Sequence, residues 1–172
     1  MTSSVEVKLT MFHAVLVVAA FLCALVAGLL FAFAVVVMPG IRRLDDGAFI
    51  QAFQAIDRVI QNRQPLFMSV WVGSVLALVA AAVLGVSALN GLDRLLIVVA
   101  ALLYLLCVQV PTFAINVPLN NRIQKLDPDS MNETTRKRAR EAFEPRWNKW
   151  NAIRTVGASV ASIMLMLLLV SV

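Results

Sequence analysis

The stretch FHAVLVVAAFLCALVAGLLFAFAVVVM, residues 12–38, contains 27 consecutive positions without Asp, Glu, Lys or Arg. About 20 apolar residues cross the hydrocarbon core of a bilayer as an α-helix, so this stretch is long enough to span a membrane. It is also longer than the roughly 7 to 15 residues of a signal-peptide core. We therefore expect it to be a retained transmembrane helix.

Three further apolar stretches, at about 65–89, 95–115 and 153–172, complete a set of four. In lipid, helices satisfy their own backbone groups, whereas an open run of strands does not. The composition agrees, with 60% hydrophobic and 15% charged residues, since soluble domains carry about 25% charged residues. We therefore predict an all-α fold, a four-helix transmembrane bundle that forms a single domain over residues 1–172.

Thirteen of the fifteen basic residues lie in two segments, 39–64 and 116–154, and only Lys8 and Arg94 lie elsewhere. With four spans these segments share one side, which the positive-inside rule assigns to the cytoplasm. We expect a multi-pass protein of the cell membrane, with loops 39–64 and 116–152 cytoplasmic and both termini outside. Nucleic acid is not an expected partner, because the chain has no basic face interleaved with aromatic residues.

Both cytoplasmic loops are predicted to contain amphipathic helices. In the first loop, aromatic and aliphatic residues recur at helical spacing, which predicts a helix lying on the membrane surface; they are Phe49, Phe53, Ile56 and Ile60, with Gln51, Gln54, Asp57, Arg58 and Gln61 facing elsewhere. In the third loop, Ser130 and Glu133 form a predicted capping box. Pro145 is predicted to end that helix and to begin the last span.

Small residues recur at every fourth position on the first two spans, and such faces let helix backbones approach closely in a membrane. They are Ala20, Ala24, Gly28 and Ala32 on the first span and Gly73, Ala77, Ala81 and Gly85 on the second. We expect both faces to pack against other helices.

Polar residues collect at the cytoplasmic ends of the third and fourth spans. On the third span, Pro111 and Pro118 are expected to interrupt the helix, and broken helix ends near a membrane commonly line a cavity. On the fourth, Trp147, Asn151 and Arg154 have the spacing of one helix face. The predicted site offers stacking, hydrogen-bonding and anion-stabilising groups to a flat hydrophobic molecule; it comprises Arg154, Asn116, Asn120, Asn151, Trp147, Trp150, Gln109 and Thr112. Taken singly, Trp147 and Trp150 also fit the interfacial aromatic belt of a membrane protein, and Arg154 also fits a side chain that reaches out to the lipid headgroups.

Metal ligands are scarce. The single histidine, His13, lies at the outer end of the first span, far from the polar residues just described. No set of His or Glu residues suits a membrane haem or a di-iron centre. We therefore expect no metal cofactor held by protein ligands.

These motifs together resemble the anthrone oxygenase family of small four-span membrane proteins. The resemblance covers about residues 12–168 and is carried by the stretch 28–39, by Asn116-Val-Pro-Leu-Asn120 and by Arg146-Trp147-Asn-Lys-Trp150-Asn151-Ala-Ile-Arg154. It implies oxidation of an anthrone to an anthraquinone by molecular oxygen. Because the deprotonated substrate can reduce oxygen directly, the resemblance also implies that no cofactor, neither metal nor flavin, is needed. In that case Arg154 and the amides of Asn116, Asn120 and Asn151 would stabilise an oxyanion, and Trp147 or Trp150 would stack on the substrate.

The general base and the function class stay open at this stage. Asp57, Glu141 and Glu144 are the candidate bases on the cytoplasmic side. A structural or partner-binding membrane protein is the main alternative to an enzyme, and a small-molecule carrier is a weaker one, because the sequence shows no inverted repeats. The expected partners are the lipid bilayer and a hydrophobic aromatic small molecule. The sequence leaves homo-oligomerisation open.

Overall fold

The computed structural model describes residues 2–172, except for the side chains of residues 2–6 and 8. Within this part the chain forms helices and turns and no strand. The charge of Lys8, which the sequence analysis assigns to the outer side, belongs to a side chain outside this set.

The described chain forms five helices, named here in chain order. α1 comprises Thr2–Ala32, a π-helical turn at Phe33–Val37 and Met38–Ile41; α2 is Asp46–Gln61; α3 is Pro65–Ala88; α4 comprises Gly91–Tyr104, π-helical turns at Leu105–Gln109 and Thr112–Asn116, and Val117–Gln124; α5 is Glu133–Ser171. Four stretches are long and apolar enough to cross a membrane: Leu9–Ile41, Pro65–Ala88, Gly91–Gln124 and Glu133–Ser171. The predicted four-span α-helical bundle is confirmed.

Each of the three π-helical turns is closed by the residue immediately before a proline. The closing backbone hydrogen bonds run from Met38 N–H to Phe33, from Val110 N–H to Leu105 and from Val117 N–H to Thr112. A proline ring collides with the carbonyl one turn back, and a π-helical turn widens the helix locally. The prediction that Pro111 and Pro118 interrupt the third span is therefore wrong, because both lie in a helix that continues through two π-helical turns.

The fourth span also differs from the prediction at Pro145. This residue lies inside α5, which runs without a break from the basic loop into the membrane, so it neither ends one helix nor begins the next. Proline removes one backbone hydrogen bond, and a helix of this length retains the others. The cap is Asn132, which accepts from the backbone N–H of Thr135 at 2.9 Å. The predicted cap, Ser130, instead donates to the Asp127 carbonyl at 3.0 Å.

Only one of the two predicted small-residue faces packs closely along its length. On α3, an added Cβ at Gly73 would lie 3.1 Å from the Leu22 side chain, and one at Gly85 would lie 3.1 Å from Phe12, so α1 and α3 are in close contact there. On α1, Gly28 is exposed and a Cβ at that position would have nothing within 4 Å. At Gly28 the prediction of a packed α1 face is wrong, because the buried face of this helix is instead turned towards Val26 and Leu30.

α2 closes one end of the bundle, which we call the basic end: the region where α2 meets the second half of α4 and the first half of α5. Its aromatic face packs in a cluster with residues of the other helices. The cluster consists of Met38, Phe49, Ile50, Phe53, Leu119, Ile123, Phe143 and Trp147. The helix predicted to lie on the membrane surface therefore buries its apolar face against the protein, because α4 and α5 extend beyond the apolar region and offer aromatic partners.

Arg140 fastens the segment between α1 and α2 to α5. Its guanidinium donates to the carbonyls of Arg42 and Leu44 at 2.8 and 2.9 Å and pairs with Asp46 at 3.1 Å and Glu144 at 2.8 Å. The same group lies 4.3 Å from the Phe49 ring centroid. One side chain thus fixes the turn that carries the chain from the first span into α2.

Candidate functional site

A cavity of about 260 Å³ lies at the basic end, and all five helices contribute to its walls. Six of the eight predicted site residues line it: Thr112, Asn116 and Asn120 from α4 and Trp147, Asn151 and Arg154 from α5. The α4 residues recur at intervals of four, and the α5 residues have the i, i+4, i+7 spacing noted in the sequence. The two polar helix faces therefore meet across a shared hollow.

The other two predicted residues do not line the cavity. Trp150 is half-buried on another face of α5. Gln109 is buried next to the site, where its Oε1 accepts from Nε1 of Trp71 at 3.2 Å. Because Trp71 lines the cavity, Gln109 supports a wall residue by this hydrogen bond and does not itself reach the cavity.

Arg154 is the charged group at the centre of the site. Its side chain is 5% exposed; Nη1 donates to Oγ1 of Thr112 at 3.1 Å, and Nη2 donates to Oδ1 of Asn151 at 2.9 Å. Within the described part of the chain, Arg154 forms no ion pair and its Nε has no hydrogen-bond partner. Burying a cation without a counter-ion is costly, so this position favours binding of an anion or of an oxygen that becomes negative.

Each of the two asparagines near Arg154 uses one N–H of its side-chain amide in a hydrogen bond to a backbone carbonyl. Nδ2 of Asn151 donates to the Leu30 carbonyl at 3.1 Å, and Nδ2 of Asn116 donates to the Trp147 carbonyl at 3.4 Å. Since an amide NH₂ has two donors, each asparagine retains one. Oδ1 of Asn116 is buried and without a partner among the described residues, so the site also offers an unused acceptor.

Asp57 brings a carboxylate to the cavity wall. It is 3% exposed, and its oxygens accept hydrogen bonds from three amides: from Asn120 at 2.7 Å, Gln124 at 2.9 Å and Gln61 at 2.7 Å. The prediction that Asp57 lies on the polar face of α2 is wrong. Asp57 follows Phe49 and Phe53 at intervals of four, and this spacing places it on the buried face.

The other candidate bases lie away from the cavity. Glu141 is exposed on α5, and Glu144 is paired with Arg140 at 2.8 Å and with Arg42 at 3.6 Å. Neither residue lines the cavity. Of the three candidates, Asp57 alone has the position that a general base needs.

Aromatic rings form much of the remaining wall. The Trp147 ring lies 5.7 Å from that of Phe33 and 5.6 Å from that of Phe53, and the Arg154 guanidinium carbon lies 5.6 Å from the Trp147 ring. Phe67 and Trp71 stack at 5.6 Å on α3. The contribution of α3 was not predicted, because Trp71 lies in an apolar span with no charged residue near it in the sequence.

Metal binding has no candidate in the described residues, since no three His, Cys, Asp or Glu side chains come together there. What the site does offer is one buried cation, one buried carboxylate, spare amide donors and aromatic walls. These groups can bind a flat ligand, remove a proton from it and stabilise the resulting anion.

Comparison with known proteins finds a match to one family model. The family model described as anthrone oxygenase matches residues 58–164, which is more than half of the chain. The matched range includes the lining residues of α3, α4 and α5, whereas Asp57 lies just before it. No curated protein and no solved structure matches the chain. On the strength of the family match, this chain belongs to the anthrone oxygenase family.

Proposed function

We propose that this membrane protein is an oxygenase that needs no cofactor of its own and oxidises an anthrone-like or phenolic hydrophobic substrate with O₂ in the cavity at the basic end. The observation that carries the proposal is the buried, unpaired guanidinium of Arg154, which shares an aromatic-walled cavity with the Asp57 carboxylate. The positive-inside rule assigns this end to the cytoplasm.

The reaction begins with proton removal. The methylene of an anthrone is acidic, since its anion is delocalised over two aromatic rings and a ketone oxygen. Asp57, held by three amide donors, takes one methylene proton. Arg154, which lines the cavity, stabilises the negative ketone oxygen with the guanidinium N–H groups that its two hydrogen bonds leave free, which is the usual role of a preorganised donor.

Oxygen then reacts with the bound anion. The anion gives one electron to O₂, the two radicals combine in a C–O bond, and the proton on Asp57 passes to the peroxide. Asp57 next removes the second C–H proton, the O–O bond breaks, and the hydroxide that leaves becomes water on taking that proton back. One anthrone and one O₂ thus give one anthraquinone and one water, and Asp57 returns to its starting state.

Asn120 and Trp147 act as positioning residues in this scheme. Asn120 donates to Asp57 at 2.7 Å and accepts from Nε1 of Trp147 at 2.8 Å. The carboxylate and the aromatic wall are therefore held in a fixed relation. Trp147 contributes its ring to stacking, and Asn116 and Asn151 contribute their spare N–H donors.

Oxygen uptake with emodin anthrone tests the proposal on the purified protein. Arg154→Gln is expected to lower kcat/KM about 100-fold, the usual effect of removing an oxyanion donor, and Asp57→Asn at least about 100-fold, since the amide is not a base. Arg146→Gln and Glu141→Gln are matched controls on exposed sites of α5, and we expect wild-type rates.

Three results would count against the proposal. Uptake by the folded wild type no faster than in buffer would favour the alternative of a structural or partner-binding protein. Equal rates in Arg154→Gln and Arg146→Gln would remove Arg154 from the mechanism. A bound chromophore in the absorption spectrum of the purified protein would contradict the absence of a cofactor.

A further inference from the structure

The cavity is open on one side, and the residues at this opening are apolar. Among its lining residues, three are exposed: Val72 on α3 at 44%, and Phe113 and Val117 on α4 at 65% and 36%. In a transmembrane bundle, exposed apolar side chains on two neighbouring spans face lipid. We call these three residues the lipid-side opening.

The polar part of the cavity is shielded from the aqueous side. Asp57, Asn116, Asn151 and Arg154 are all buried, and Asn120 is half-buried. Phe53 and Trp147 are buried beside them in the cluster that α2 forms with α4 and α5. Asn151 also lines a second hollow, between α1 and α5, but is itself only 1% exposed. A solute from the aqueous side would therefore have to displace either Asn151 or the packed cluster to reach Arg154.

The opening arises from the way in which α3 and α4 diverge. α3 packs closely on Gly91–Tyr104 and makes at most slight contact with the rest of α4. The rest includes the π-helical turn Thr112–Asn116, which carries both Phe113 and the cavity residues Thr112 and Asn116. The same turn therefore faces lipid with one side chain and the polar cavity with two others.

We propose that ligands enter and leave the cavity sideways from the bilayer, between α3 and α4, through the lipid-side opening. The ligand class is then a polycyclic aromatic molecule that partitions into lipid, and water-soluble glycosylated or sulfated derivatives are excluded. This inference rests on the proposed function for the kind of ligand, but it concerns the route and can be tested by binding alone.

Binding kinetics of emodin, a hydroxylated anthraquinone, test the route in protein reconstituted into phosphatidylcholine vesicles. Quenching of Trp147 and Trp71 fluorescence, both in the cavity wall, reports binding. Val72→Trp narrows the opening and is expected to slow association and dissociation together about tenfold, which corresponds to a barrier about 1.4 kcal/mol higher. Phe113→Ala widens it and is expected to speed both.

The matched controls carry the same substitutions on lipid-facing sites away from the opening. They are Val79→Trp on α3 and Leu106→Ala on α4, which are exposed and do not line the cavity. Both are expected to bind and release emodin at the wild-type rates. If Val72→Trp fails to fold, Phe113→Ala against Leu106→Ala decides the question alone.

The outcomes separate the route from the function. A change in dissociation alone, or equal rates in opening variants and controls, overturns the lateral route and leaves the oxygenase proposal standing. Parallel changes in both rates without O₂ uptake support the route while the oxygenase proposal fails. No binding of emodin to the wild type counts against both.

Discussion

The Nδ2 group of Asn120 donates a hydrogen bond to Oδ1 of Asp57 at 2.7 Å, and this contact joins α4 to the buried face of α2. The oxygen of the same amide accepts from Nε1 of Trp147 on α5 at 2.8 Å. A single asparagine thus connects three helices at the cavity wall. These two contacts use one of the two N–H donors of Asn120 and one lone pair of its oxygen.

Replacement of Asn120 by Leu is predicted to destabilise the protein. The substitution leaves a buried Asp57 oxygen and the Trp147 Nε1–H without partners, and a buried group left unsatisfied costs about 1–3 kcal/mol. The control is Asn121→Leu, at an exposed neighbouring site whose amide has one long contact to Gln61 at 3.3 Å. We expect a lower midpoint of thermal unfolding in detergent for Asn120→Leu only. Equal midpoints for the two variants would show that the contact contributes nothing.

Two glycines in the spans are predicted to respond to alanine in opposite directions. An added Cβ at Gly157 would lie 2.7 Å from the Cβ of Cys107, so α4 and α5 would have to separate. Overpacking of this kind costs about 1–3 kcal/mol. Gly28 has nothing within 4 Å of the added Cβ, and alanine is favoured over glycine in a helix by about 1 kcal/mol.

Thermal unfolding in detergent checks this pair. Gly157→Ala is expected to unfold at a lower temperature than wild type, and Gly28→Ala at the same or a higher one. The double variant Gly157→Ala/Cys107→Gly removes the opposing Cβ and is expected to recover part of the loss beyond the effect of Cys107→Gly alone. If the shift in unfolding temperature of the double variant equals the sum of the shifts of the two single variants, the contact between Gly157 and Cys107 is not the cause.

The spans and the polar face of α5 in the site could be predicted, because they depend on local sequence. Transfer into lipid acts on each residue in turn, so hydropathy finds the helices, and helical spacing alone aligns Trp147, Asn151 and Arg154. Helical spacing also aligns Asp57 with Phe49 and Phe53, but local sequence does not reveal the distant amides of Asn120 and Gln124 that make burial of its charge tolerable. The same holds for Pro145, whose effect on a helix is decided by the surrounding packing.

Loss of the Arg140 guanidinium is predicted to release the segment before α2. Its four hydrogen-bonded partners include the backbone carbonyls of Arg42 and Leu44, so Arg140→Gln leaves this turn with fewer restraints. Trypsin cleaves after Arg42 and Arg43, and proteolysis of a native protein follows local opening. We expect faster cleavage there in Arg140→Gln than in wild type, measured by mass spectrometry of the fragments in detergent.

Arg138→Gln is the control for this prediction. Arg138 is an exposed basic residue on the same helix, so the substitution makes an equal change in net charge without touching the turn. Its cleavage pattern after Arg42 and Arg43 should match that of the wild type. Similar acceleration in both variants would show that net charge, and not the contacts of Arg140, controls access to this segment.

The orientation of the bundle is predicted to place the basic end, and with it the Asp57 carboxylate, in the cytoplasm. Ser130 lies in the loop before α5 at this end and Ser171 at the opposite end of α5, and both are exposed. Each is replaced by Cys in a background with Cys23→Ala and Cys107→Ala, and intact cells are treated with a maleimide that does not cross membranes. Cys at position 171 should react, and Cys at 130 should react only after the cells are opened. Because thirteen basic residues would have to cross the membrane in the reverse arrangement, labelling of position 130 in intact cells would overturn both the topology and the assignment of the site to the cytoplasmic side.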